Sequence, residues 1–282
     1  MRVLVTGASG MVGQAVIEHC ARLNDEVFAH DHLSLDIADA IQVRAVFERE
    51  RPHVIINCAA WTDVDGCELN PERAFMANAR GPEILAAESR SVSASLITIS
   101  TDYVFNGEKT GFYTQRDDPN PQSVYASAKL EGERRAQAAN ARTVVVRTGW
   151  IFGPRGRNFL SRVVELAERG ERLKVISDAY GTPTYAQDLA ERLRRLAEID
   201  LPGVYHVVND GEGASYEEFA REALLAGGLD ASILESVEMD SLKRPAPRPR
   251  NSRLRCLLSE AIGLPPLPEW RVALRRFVAA KD

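Results

Sequence analysis

Residues 2–23 read RVLVTGASGMVGQAVIEHCARL, and this stretch decides the fold. Arg2–Thr6 is a short apolar run with the character of a buried strand. Gly7, Gly10 and Gly13 follow at the spacing GxxGxxG, and residues 14–23 carry a helical period. Strand, glycine turn and helix together make a dinucleotide site. The glycines let the backbone close on a pyrophosphate, and the helix N-terminus favours its charge. Glu26–His30 (EVFAH) reads as the second strand, and Asp31 follows 18 residues after Gly13. That is about where an acidic side chain meets the adenosine ribose, although a carboxylate there also suits a turn cap. Asp36 and Ile37 lie slightly further on.

The same alternation continues outward. Residues 40–50 look helical, Pro52 ends them, and His53–Asn57 (HVIIN) is a third strand. Cys58, Ala59, Ala60, Trp61 and Thr62 follow, mostly small residues that let a loop lie against a cofactor. Pro71 opens a helix reaching about Ser89, with Asn78 inside it, either near the site or exposed. Ser95–Ser100 is a fourth strand and Arg142–Arg147 a fifth. Strands alternating with helices predict an α/β fold with a Rossmann-type doubly wound parallel sheet over residues 1–149. Residues 150–282 are expected to form mainly a smaller C-terminal substrate-binding lobe, with 186–208 returning to the sheet. The long polar loop from Asn106 to Ser123 has the look of a functional lid.

Composition narrows the function. The chain has 282 residues, 45% of them hydrophobic, and a net charge of −5. That charge gives no general attraction to nucleic acid or an anionic membrane. No apolar run approaches the length of a spanning helix, and no signal-peptide core precedes Gly7, so a cytoplasmic location is expected. Cys20, Cys58, Cys67 and Cys256 lack paired spacing, and the five histidines form no metal motif, so no protein-built metal site is predicted.

The chemistry is expected between Ser100 and Lys129. Ser100 and Thr101 close the fourth strand, where ligands bind in open α/β sheets. Tyr125 and Lys129 share one face of a helix over residues 123–140. An ammonium beside a phenol lowers the phenol's pKa. A hydroxyl, a phenol and an ammonium around one oxygen suit carbonyl reduction. Arg244, Arg248 and Arg250, in a Pro/Arg-rich extended segment at 243–253, either lie near a diphosphate or form an exposed connection.

TGASGMVG, NCAAWT, STDYVFNG, YASAK and RTGWIFG, in that order, resemble the extended short-chain dehydrogenase/reductase superfamily. STDYVFNG together with RTGWIFGPRGRNF, SDAYGTPTY and RPAPRPRNSRL is similar to its dTDP-4-dehydrorhamnose reductase family. The resemblance implies NADPH- or NADH-dependent reduction of the C4 ketone of dTDP-6-deoxy-L-lyxo-4-hexulose, a dTDP-4-keto-6-deoxy sugar, to dTDP-L-rhamnose. It implies a catalytic trio of Thr101, Tyr125 and Lys129. Tyr125 donates the proton, and Lys129 binds the nicotinamide ribose and depresses the tyrosine pKa. Gly10, Met11, Val12, Asp31, Asp36, Ile37, Ala60, Trp61 and Thr62 match cofactor positions, with Gly7, Gly13 and Ala59 beside them. Thr101, Asp102, Tyr103, Trp150 and Asn158 fall at or beside sugar-contact positions. Some members hold magnesium at a subunit interface through glutamates, and Ala15 stands where one of these falls. Relatives are often homodimers. Another dTDP-deoxysugar 4-ketoreductase stays open as an alternative. So does a non-enzymatic relative such as a methionine adenosyltransferase regulatory subunit, against which the intact trio argues.

Overall fold

The computed structural model describes residues 1–156 and 158–280. The apolar runs become strands β1 (Arg2–Thr6), β2 (Glu26–His30), β3 (Val54–Asn57), β4 (Ser95–Thr101) and β5 (Thr143–Thr148). With Gly203–His206 they form one parallel six-stranded sheet. Its order is Gly203–His206, β5, β4, β3, β1, β2. The first helix, α1 (Met11–Arg22), starts three residues earlier than its helical period suggests, directly after Gly10.

The strands read as continuous apolar runs because both faces are covered. On one side Val3 and Val5 pack with Val16 and Cys20 of α1 and with Leu189 and Leu193 of the helix Ala186–Ile199. On the other, Leu4 meets Val43 and Phe47 of α2 (Ala40–Glu50). A separate aromatic cluster, Phe152, Tyr185, Phe219, Trp270 and Phe277, is enclosed by the later helices.

Between β3 and β4 the structure departs from one long helix. Asp63 caps a short α3 (Val64–Leu69), accepting from Gly66 N at 2.9 Å. Then α4 (Pro71–Phe75) and α5 (Gly81–Ser91) are joined by a π-helical turn, Met76–Arg80. Such turns recur at functional sites. Here the turn holds Asn78, which is buried rather than exposed. Its amide donates to Trp61 O and accepts from Trp61 N, both at 2.9 Å, so it fixes the loop after β3. The next helix, α6 (Val124–Ala139), packs so tightly here that a Cβ on Gly132 would lie 2.1 Å from Asn78 O.

The segment 243–255 runs extended and straps several loops together. Asn251 Nδ2 donates to Lys109 O and Gly111 O, both at 2.6 Å. Tyr113 N donates to Arg253 O at 2.7 Å, and Tyr180 N to Arg250 O at 2.7 Å. Gly107 has φ 85°, and a Cβ there would meet Arg250 N at 2.7 Å. The loop 106–123, expected as a lid, is therefore pinned in place by this strap.

Candidate active site

A cleft of about 710 Å³ opens at the C-terminal ends of β1, β3, β4 and β5. Its glycine side is built for close approach. Gly7 has φ 67°, a left-handed conformation natural to glycine, and its Cβ would lie 2.7 Å from Ala59 N. A Cβ on Gly13 would lie 2.2 Å from Gly7 O. Gly10, which has no side chain, is the N-cap of α1. No capping side chain therefore intervenes between the first-turn N–H groups and the wall formed by Ser9–Gly13. An uncapped twelve-residue helix whose N-terminus meets a cleft fits a pyrophosphate. Ala59, Ala60 and Thr62 continue that wall.

Thr101, Tyr125 and Lys129 come together at the foot of the cleft. Ser123 caps α6, accepting from Ala126 N at 3.3 Å, which sets Tyr125 and Lys129 on the face toward β4. Thr101 Oγ1 donates to Asp102 Oδ1 at 3.1 Å and accepts from Tyr103 N at 3.2 Å. Burial pushes the Tyr125 phenol above the ordinary tyrosine range, and its hydrogen bond with Thr101 opposes this only in part. The expected lowering by the neighbouring ammonium is corrected by the structure. Lys129 Nζ donates instead to Ile99 O at 2.6 Å, and burial lowers the lysine itself to about 8.

One turn further along α6, Glu133 accepts from Arg147 Nε at 3.0 Å and Nη2 at 2.7 Å, and from the Ser100 hydroxyl. Ser100 is thus turned away from the reaction centre and ties β4 to α6. Such a pair is costly to break singly, because the remaining charge would be buried alone.

The far wall is aromatic. Asp102 is buried, and desolvation raises its carboxyl to about 6. Gly149 presses against it, a Cβ there lying 2.3 Å from Asp102 Cγ. Trp150 adopts φ 50°, unusual for so large a residue, and stacks on Tyr216 with centroids 3.8 Å apart. A Cβ on Gly181 would lie 2.1 Å from the Trp150 ring. Tyr216 is hydrogen-bonded to Tyr103, and both line the cleft. Asn158 also lines it, while its side chain caps the helix Phe159–Glu168 by accepting from Ser161 N at 3.0 Å.

Five expected cofactor positions, Gly7, Asp31, Asp36, Ile37 and Trp61, are not part of this wall. Asp31 is the cap of its own turn, accepting from Leu33 N at 3.1 Å and Ser34 N at 3.0 Å. Asp36 accepts from Ala38 N at 2.9 Å in the next turn. Ile37 is buried in the core against Gly81. Trp61 packs its ring beneath the Arg73 guanidinium, 4.3 Å from its centroid. Gly7 shapes the turn from behind the wall. Of the arginines, Arg250 is paired with Asp178 and Asp240, away from the cleft. Arg248 forks onto Asp65 at 2.5 and 2.8 Å, and its charge acts on Tyr103 and Tyr216. Sequence reasoning missed Tyr216 and Thr148. Tyr216 opens an ordinary-looking helix after Ser215, and Thr148 closes an apolar run.

A doubly wound sheet with this glycine turn and a Thr, Tyr and Lys set at its cleft defines a Rossmann-type protein of the extended short-chain dehydrogenase/reductase class. Over residues 1–282 the chain matches the model of the RmlD substrate binding domain, and it belongs to that family. It is 38% identical over 279 residues to the dTDP-4-dehydrorhamnose reductase of Streptomyces griseus, covering 97% of this chain and 91% of that one. It is 35% identical to the dTDP-4-keto-6-deoxy-D-glucose reductase of Streptomyces niveus, covering 97% and 95%. The solved dTDP-4-dehydrorhamnose reductase of Bacillus anthracis in complex with NADP superposes with a TM-score of 0.96 at 33% identity, covering 99% of both chains.

Proposed function

We propose that this protein reduces the C4 ketone of a dTDP-4-keto-6-deoxy sugar, with dTDP-6-deoxy-L-lyxo-4-hexulose, the precursor of dTDP-L-rhamnose, as the leading substrate. The observation that carries this reading is the hydrogen-bonded Thr101–Tyr125 pair beside the buried Lys129 at the foot of the cleft. A nicotinamide dinucleotide, NADPH or NADH, held by Ser9–Gly13, Ala59, Ala60 and Thr62, supplies the hydride to the ketone carbon.

The residues of the chain do the rest. Thr101 and Tyr125 orient the ketone oxygen through hydrogen bonds. Tyr125 keeps its proton at neutral pH because burial holds its pKa high, so it is loaded as the acid for the developing alkoxide. Lys129 supplies positive charge beneath that oxygen and orders the Ile99 carbonyl. Asp102, Tyr103, Trp150, Tyr216 and Asn158 wall the sugar. On this reading residues 1–149 with 186–208 carry the cofactor half, and most of the remainder carries the sugar half. The reading also puts the enzyme in the cytoplasm, where its nucleotide-sugar substrate is made, as a two-fold dimer, the commonest assembly.

A panel of dTDP-4-keto sugars assayed for NADPH oxidation tests the activity. Oxidation with the lyxo-hexulose above the other sugars supports the leading substrate. The likeness to the Streptomyces niveus enzyme favours a second reading, in which dTDP-4-keto-6-deoxyglucose is reduced instead, and the same panel separates the two. Cofactor binding with no oxidation of any such sugar would overturn both.

A further inference from the structure

β4 and β5 end side by side, with Thr101 and Thr148 as register partners. The Thr101 hydroxyl has partners in Asp102 and Tyr103, and on the ketoreductase reading its proton turns from Asp102 to the ketone oxygen. The Thr148 hydroxyl has none. Thr148 is 2% exposed, and its Oγ1 has no hydrogen-bond partner among the described residues, yet it stands in the cleft wall. Asp102 Oδ2 is also buried and makes no hydrogen bond of ordinary geometry, although the Ser252 hydroxyl acts on this carboxylate. A buried hydroxyl without a partner is costly, and a valine would fill the same volume without that cost. Two such atoms at one wall point to a polar ligand group that completes them.

The sheet order says which ligand. Reading across the strand ends, the glycine turn follows β1, the small-residue loop follows β3, Thr101 ends β4 and Thr148 ends β5. Thr148 therefore lies on the opposite side of the reaction centre from the cofactor wall, next to Gly149 and Trp150. We propose that Thr148, together with Asp102, reads the hydroxyl on carbon 3 of the sugar. This rests on the ketoreductase reading. In a 4-keto-6-deoxy sugar the reacting carbon has two ring neighbours. Carbon 5 carries a methyl group and carbon 3 a hydroxyl, so the polar group next to the reacting oxygen is on carbon 3. A hydroxyl both donates and accepts, which suits a carboxylate and a threonine that line one cleft. A site built to bond a hydroxyl discriminates strongly against the analogue lacking it.

The test compares wild type, Thr148→Val and Thr148→Ser. Steady-state kinetics use dTDP-6-deoxy-L-lyxo-4-hexulose and its counterpart lacking the carbon 3 hydroxyl. Calorimetry titrates dTDP-L-rhamnose and dTDP separately into protein loaded with NADP. Valine is expected to lower kcat/KM for the hydroxylated sugar by roughly tenfold, the worth of one hydrogen bond, and to leave the deoxy analogue unchanged. Serine restores the difference, and the affinity for NADPH does not move. Equal effects on the two sugars, or none, would overturn the proposal. Weaker NADPH binding with sugar discrimination intact would overturn it too, placing the hydroxyl on the nicotinamide carboxamide. If wild type turns over neither sugar, the ketoreductase reading has failed, and calorimetry still decides this one. A roughly tenfold loss for dTDP-L-rhamnose with dTDP unchanged supports it, and equal binding to wild type and Thr148→Val refutes it.

Discussion

Lys129 makes the alkaline side of the pH profile a direct readout of the site. Burial lowers this lysine from 10.5 to about 8, and the nearby Glu133 and Cys58 only partly restore it. The phenol of Tyr125 moves the other way and keeps its proton through the same range. The group that titrates in the site above neutrality is therefore the ammonium. With a pKa of about 8, roughly nine in ten molecules carry the charge at pH 7 and about one in ten at pH 9. If turnover needs that charge, kcat falls about tenfold per pH unit above the midpoint. Stability responds with the opposite sign. The folded state holds this proton less tightly than the unfolded chain, so the group penalises folding below about pH 8 and the penalty fades toward 10.5. Loss of rate between pH 8 and 9 is thus not unfolding driven by Lys129. The assay is single-turnover reduction of the keto sugar by bound NADPH, repeated with Lys129→Arg, whose charge persists across the range. The arginine variant is expected to be slower at pH 7 and flat to pH 9.5. A wild-type rate unchanged up to pH 10, or the same limb in Lys129→Arg, would refute the reasoning.

Tyr125→Phe keeps the ring and removes the proton, so NADPH affinity should hold while turnover drops by roughly 10²–10⁴, measured by stopped-flow absorbance. Gly132→Ala places a Cβ 2.1 Å from Asn78 O, backbone that cannot yield cheaply, and should lower stability by about 1–3 kcal/mol in urea unfolding. Gly181→Ala collides with the Trp150 ring and should raise KM for the sugar several-fold while leaving the affinity for NADPH as it was. Asp31 is engaged by its own turn, so NADPH and NADH should both support turnover, and Asp31→Asn should change their ratio by less than about tenfold in steady-state kinetics.

The sheet was legible because parallel strands buried on both faces leave unbroken apolar runs, and β2 matches its expected bounds residue for residue. Thr101, Tyr125 and Lys129 were legible because a strand end and an i,i+4 helix spacing bring them together locally. The state of the phenol was not, because it depends on burial and on the Ile99 carbonyl, which helix spacing does not encode. Asp31 shows the same limit: its turn-cap role through Oδ1 depends on Ser34, three residues away, and leaves the ribose contact a proposal. Tyr216 approaches the site from far along the chain, and no short motif marks it. The π turn is not legible because Pro71 to about Ser89 reads as one helix until Asn78 must reach back to Trp61.

The strap at 243–255 sets the order in which a newly made chain becomes competent. The glycine turn, Thr101, Tyr125 and Lys129 all precede residue 148, so the dinucleotide wall is encoded in the first half of the chain. The aromatic wall waits for Tyr216, and the loops at 106–123 and 178–182 stay untethered until Arg250, Asn251 and Arg253 arrive to hold them. A chain emerging from the ribosome therefore holds the glycine turn and the Thr101, Tyr125 and Lys129 set first, then the helix Ala186–Ile199 and the strand Gly203–His206 that cover and complete the sheet, and the strap only near its end.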